Sequence, residues 1–156
     1  MPKIMLSTNG KSVFLRGGKA MDFSLPQLST NQTWQLSKEA AGRAVMLTFW
    51  TSWCPDSERD LAAKMPLAAH ADQNKLQFVT VNVTGREGNV DLQAYLQKRG
   101  WDFLVLQDRG TALYDHFNCK GVPTTVLLNN RHEQTAQFGE QAKLPDILAE
   151  LALLID

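Results

Sequence analysis

Phe49-Trp50-Thr51-Ser52-Trp53-Cys54-Pro55-Asp56-Ser57 decides the reading of this chain. The run that leads into it, Ala44 to Phe49, is almost continuously apolar, as in a strand buried on both faces in a central parallel position. Pro55 suits the first turn of a helix, where its missing N–H would find no partner anyway. The stretch therefore predicts a buried strand, a tight passage through Trp53-Cys54, and a helix that starts beside the Cys54 sulfur. The free N–H groups and partial positive charge of a helix start favour a thiolate there. Cys54 is thus the candidate nucleophile for disulfide exchange.

Outward from this point the chain alternates strands and helices. Leu61, Met65, Leu67 and Ala68 roughly mark the apolar side of the helix after Cys54, and Pro66 is expected to kink or divide it. Strands are expected at Leu76 to Val83, Phe103 to Leu106, Val122 to Leu128 and Glu133 to Phe138. Helices are expected at Asp91 to Arg99, ended by Gly100, at Thr111 to Phe117 and at Leu144 to Ile155. The last carries an apolar stripe of Leu144, Ile147, Leu148, Leu151, Leu154 and Ile155. Before the central strand, Asp22 to Pro26 and Thr33 to Leu36 read as short strands, and Ser37 as the cap of one helical turn ending at Gly42. Asn9-Gly10 predicts a hairpin between Lys3–Leu6 and Ser12–Leu15, because both central residues of a type I′ turn need positive φ. The class is α/β, with a mixed sheet whose closing hairpin supplies an antiparallel edge. The organisation is one domain over 1–156, a hairpin extension at 1–20 and a core at 21–156.

The 156 residues suffice for a sizeable core without disulfide staples, and 44% of them are apolar. The formal net charge is zero, which gives no footprint for nucleic acid or an acidic membrane surface and leaves a monomer or weak dimer as the expectation. No apolar run nears the ~18 residues of a membrane span, and Met1 to Gly18 lacks the pattern of a secretory signal. The expected location is cytoplasmic, the alternative being an exported form whose signal or anchor has been removed. The two cysteines, Cys54 and Cys119, have no zinc-type spacing with His70, His116 or His132, so no metal or cofactor is expected and the histidines read as surface residues.

Phe49-Trp50-Thr51-Ser52-Trp53-Cys54-Pro55 resembles the Phe-Trp-Ala-x-Trp-Cys-Pro of TlpA- and ResA-type thiol-disulfide oxidoreductases, within the thioredoxin superfamily. Asp22-Phe23-Ser24-Leu25-Pro26, Leu36-Ser37 and Gly42-Arg43-Ala44-Val45 are similar to that family's lead-in. Gly121-Val122-Pro123-Thr124-Thr125 is similar to its Gly-x-Pro-Thr-Thr loop. The likeness covers roughly residues 20 to 155. It implies a thioredoxin fold, a cis Pro123 facing Cys54, and a substrate-binding loop of Val122, Pro123 and Thr124 whose Val122 main chain pairs with a bound polypeptide. The implied partners are protein or glutathione disulfides.

The departures are informative. The family reads Cys-x-x-Cys, whereas this chain has Cys54-Pro55-Asp56-Ser57, so the resolving thiol is replaced by Ser57, whose hydroxyl could donate to the sulfur. Cys54 can then form a mixed disulfide but cannot release it by internal attack. Asp56 has opposed effects: the helix start favours an anion, but a carboxylate beside a thiolate disfavours it. Thr48 takes the place of thioredoxin's buried acid. Asp60 stands where the family often has a glutamate, as a candidate proton carrier or a solvated helix position. The usual helix proline is replaced by Ala62. Cys119 reads as filling an apolar slot, with a substitute resolving thiol as the alternative. Trp50 reads as core and Trp53 as a shield for the thiol.

Two other functions stay open. One is a non-catalytic thioredoxin-fold module that holds an extended chain along Val122-Pro123. The other is a one-cysteine peroxidase, because Thr51-x-x-Cys54 fits the peroxiredoxin Thr-x-x-Cys, although Leu47 lies where their proline belongs.

Overall fold

The computed structural model describes the backbone of residues 5–8, 11–14 and 20–155, with side chains over 20–155. The central strand β5 (Ala44–Trp50) is buried along its whole length. It pairs in parallel with β6 (Leu76–Asn82) and antiparallel with β8 (Thr124–Leu128). Beyond β6 lies β7 (Val105–Gln107), also parallel, and beyond β8 lies β9 (Gln134–Phe138), antiparallel. The sheet continues through a hairpin of β1 (Met5–Thr8) and β2 (Lys11–Phe14), whose second strand pairs with β9. So β9 is an interior strand rather than the expected edge. The hairpin register pairs Thr8 with Lys11, which brings the strands two residues nearer the turn than expected on one side and one on the other. Asn9 and Gly10 themselves lie outside the described residues.

Burial on both faces explains why β5 is an unbroken apolar run rather than an alternating one. On one face, Val45, Leu47 and Phe49 join Val79, Val81, Tyr114 and Phe117. The short helices α1 (Leu36–Glu39) and α4 (Ala112–His116) and the small sheet of β3 (Ser24–Pro26) and β4 (Thr33–Gln35) cover this face. On the other, Ala44, Met46 and Trp50 pack with Leu61, Leu92, Leu96, Ile147 and Leu151. These come from α2 (Pro55–His70), α3 (Leu92–Arg99) and α5 (Leu144–Ile155). The frame is β5-α2-β6 followed by β8-β9-α5, with α3, β7 and α4 inserted between, which is the expected thioredoxin architecture.

Several local expectations are corrected. Ser37 does not cap α1: Gln35 occupies that position, with no side-chain cap bond. Asp22, ahead of β3, accepts instead from the Ser37 amide, the Ser37 hydroxyl and the Gln35 side chain. Pro66 does not divide α2, which runs on to His70. The buried positions of α2 are Ser57, Leu61 and Lys64; Met65, Leu67 and Ala68 are only half-buried. Leu148 is exposed, so the buried part of the α5 stripe is Ile147 and Leu151. His132 is buried, its Nε2 2.9 Å from the Ala40 carbonyl, because the β8–β9 turn folds down onto the end of α1. Val122 and Pro123 belong to the loop before β8 rather than to the strand.

Candidate active site

Every group around Cys54 is placed by where β5 ends. The chain leaves the sheet after Trp50, crosses Thr51 to Trp53, and Cys54 becomes the N-cap of α2 in an extended conformation (φ −91°, ψ 114°) with Pro55 following. A helix start leaves amides without partners. Here the Ser57 amide donates to Cys54 Sγ at 3.4 Å, and the Glu58 amide to the Cys54 carbonyl at 3.1 Å. The sulfur is therefore a helix cap, a position where negative charge is favoured.

On its other side Cys54 Sγ donates to the Val122 carbonyl at 3.6 Å. The Val122–Pro123 peptide bond is cis. Thr124 is buried and its hydroxyl donates to the Gly121 carbonyl at 2.7 Å, which ties the loop to the head of β8. The structure thus brings together two segments far apart in sequence, 53–57 and 121–124. Cys54 is only 7% exposed.

Ser57 is fully buried. It serves the sulfur through its amide, while its hydroxyl oxygen accepts from the Thr51 amide at 3.4 Å. Pro55 is exposed and Asp56 pairs with Arg59 one turn on. Trp53 flanks Cys54 on the loop that enters α2. It is 57% exposed, held by its indole N–H donating to the Arg86 carbonyl at 2.8 Å. Trp50 is fully buried and stacks on Tyr95.

Cys119 is a buried free thiol. Burial pushes its pKa up to about 12, only partly offset by the Thr124 hydroxyl. At neutral pH it is protonated, which suits the apolar slot better than a nucleophile. Asp60 lies one and a half turns along α2 with its carboxylate 2.8 Å from Lys64 Nζ. Among the described residues no group of three or more His, Cys, Asp or Glu side chains is placed to hold a metal ion.

Two residues with no part in the sequence reading shape the site. Glu87, just after the 3-10 turn Thr84–Arg86, accepts from the Ser52 amide (2.8 Å), the Ser52 hydroxyl (2.6 Å) and the Asn82 side chain (2.6 Å). It clamps the loop before Cys54 to the end of β6. Lys64, farther along α2, is fully buried against Thr48 and Thr125 of the sheet. Glu87 carries no local signal. Lys64 does: Ser57, Leu61 and Lys64 share the i, i+4, i+7 face that α2 turns inward.

With this geometry in view, the likenesses to known proteins are consistent. Residues 16–139 match the model of the AhpC/TSA family. The chain is 27% identical over 123 residues to the thiol-disulfide oxidoreductase ResA of Halalkalibacterium halodurans, covering 79% of this chain and 68% of that protein. It is 32% identical over 117 residues to the thioredoxin-like protein YneN of Bacillus subtilis, covering 74% and 66%. A solved structure of a Chlorobium tepidum protein assigned as a thiol:disulfide interchange protein DsbE superposes with a TM-score of 0.73 at 25% identity, over 90% of this chain and 97% of that one. The chain belongs to the AhpC/TSA family, on a thioredoxin fold, among relatives of the ResA type.

Proposed function

We propose that this protein is a thiol-disulfide oxidoreductase that works through Cys54 as a monothiol. The observation that carries the reading is the seat of the sulfur: it caps α2, accepts the Ser57 amide, and lies against the Val122 carbonyl beside Pro123. The likeness to ResA-type oxidoreductases supports the same chemistry.

The Cys54 thiolate attacks one sulfur of a protein or glutathione disulfide. A Cys54–substrate disulfide forms, and the second substrate sulfur leaves as thiolate. Ser57 offers no thiol to attack that bond, and Cys119 is held protonated by its burial. Release therefore needs a second thiol from solution, glutathione or a partner protein, which takes the substrate sulfur and returns Cys54 as thiolate. Its own proton passes to solvent. The main chain at Val122 is suited to pairing with an extended substrate.

The test is turnover of a disulfide peptide with reduced glutathione as the sole reductant. The expected rate rises with glutathione concentration and vanishes in Cys54→Ser, while Cys119→Ala is unaffected. Turnover retained in Cys54→Ser would overturn the assignment.

A further inference from the structure

A lysine with no exposure at all needs a reason, because an ammonium in a protein interior costs several kcal/mol unless it is fully paired. Lys64 is such a residue. Its Nζ lies 2.8 Å from Asp60 Oδ2, 2.8 Å from Thr48 Oγ1 and 2.6 Å from Thr125 Oγ1. The two hydroxyls accept hydrogen bonds from the ammonium, and the carboxylate faces it as an ion pair. Thr48 and Thr125 are register partners on β5 and β8, so the lysine is received by a prepared pair of hydroxyls on the sheet. Burial lowers the Lys64 pKa and the Asp60 carboxylate works against that shift.

Asp60 and Cys54 belong to the same helix end. At the rise of an α-helix, Asp60 lies about 9 Å along the axis from Cys54 and Lys64 about 15 Å. The Asp60 side chain is 19% exposed, so water screens it little. A bare carboxylate at that place would oppose a thiolate at Cys54. With Lys64 beside it, the pair is neutral as a whole, and the carboxylate is held toward the sheet.

We infer that Lys64 is a positioning residue for Cys54: it masks and anchors the Asp60 carboxylate, so that the thiolate forms beside a neutral pair instead of beside a free negative charge. The inference rests on Cys54 being the nucleophile and deepens that reading. Among the described residues, Lys64 has Asp60 as its ion-pair partner and the Thr48 and Thr125 hydroxyls as its partners on the sheet. The other ionisable groups on elements around Cys54 include Asp56, Arg59 and Glu58 on α2, the last paired with Arg99 of α3, Arg86 and Glu87 after β6, Tyr114, Cys119 and Lys120 at and after α4, and Glu140 beside Gly121. Apart from Cys119, which is alanine throughout, all are unchanged in the variants below.

The experiment measures alkylation of Cys54 by iodoacetamide from pH 5 to 10 in a Cys119→Ala background, in which the sulfur displaces iodide. Four proteins are compared: this parent, Lys64→Met, Asp60→Asn and the double variant. Far-UV circular dichroism and thermal unfolding establish that each is folded. Lys64→Met is expected to react at least about threefold more slowly than the parent near pH 7 and to converge on it at pH 10. Asp60→Asn is expected to react no more slowly than the parent, and the double variant to recover the parent's rate. A role confined to packing would not produce recovery on removing the second charge. Equal rates for Lys64→Met and the parent, or a double variant as slow as Lys64→Met, would overturn the inference while leaving Cys54 as nucleophile. A parent that reacts no faster near pH 7 than a free cysteine would overturn both.

Discussion

Ser57 meets Cys54 through its backbone and Thr51 through its side chain. Its amide donates to the Cys54 sulfur at 3.4 Å, and its hydroxyl oxygen accepts the Thr51 amide at 3.4 Å. The position that a Cys-x-x-Cys pattern would give to a second cysteine is therefore an oxygen site that closes the loop 51–57 on itself. Replacing it with sulfur should alter both chemistry and stability.

On the proposed monothiol reading, Ser57→Cys introduces a resolving thiol. With no thiol added, one equivalent of reduced variant should then release reduced peptide from a disulfide peptide, leaving a disulfide between Cys54 and the introduced thiol, whereas the parent stops at the mixed disulfide. The Thr51 amide loses its oxygen acceptor, so the reduced variant should be less stable by about 1 kcal/mol in urea unfolding.

Glu87 holds three donors of the approach loop and β6 with one half-buried carboxylate. Glu87→Ala leaves the Ser52 amide unpaired and the Asn82 side chain with only its 3.5 Å bond to the Trp50 carbonyl. A loss of about 2–3 kcal/mol is expected from the charge-assisted bonds, together with slower alkylation of Cys54 because the loop that presents it is released. Glu87→Gln should cost less, since its Oε1 still accepts the Ser52 amide and the Asn82 side chain and the Ser52 hydroxyl can turn to accept from Nε2, so that only the charge is lost. Denaturant unfolding and the alkylation rate check both.

Cys119 makes stability fall at alkaline pH, and the sign follows from its raised pKa. The folded chain keeps the proton up to about 12, while the unfolded chain loses it near 9.0. Unfolding thus releases a proton in that window. The contribution is complete below pH 9 and disappears as pH rises toward 12. The parent should lose more stability between pH 9 and 11 than Cys119→Ala, as read by urea midpoints. In the native protein at pH 7.5, iodoacetamide should label Cys54 and spare Cys119.

Pro66 lies on the exposed side of α2, where it removes the amide that would bond to the Ala62 carbonyl. Pro66→Ala restores that bond without loss of packing and should stabilise the protein by about 1–3 kcal/mol, visible as a raised thermal midpoint with unchanged Cys54 reactivity.

The elements that declare themselves in the sequence are those with one dominant cause. The apolar run of β5, the proline after Cys54, Gly100 at φ 68° after α3, and the spacing of Ile147 and Leu151 each place an element within a residue or two. Where competing partners settle the outcome, the sequence is silent. Ser37 looks like a cap, but Asp22 reaches it from across the chain. His132 reads as a surface residue, yet the β8–β9 turn packs onto Ala40 and buries it. Lys64 passes unread in the sequence although it shares the inward face with Ser57 and Leu61; only the Thr48–Thr125 pairing reveals why it can be buried there. The candidate nucleophile and the 121–124 loop are legible from motif and resemblance. The Glu87 clamp, joining residues far apart in the chain, is not.

The most direct measurement is intact-mass analysis after brief incubation with a disulfide peptide and no added thiol, followed by proteolytic mapping of the adduct. A single peptide adduct on Cys54, stable until glutathione is added and absent in Cys54→Ser, is the predicted result. A protein that binds the peptide without forming an adduct, or whose adduct maps to Cys119, would contradict the account.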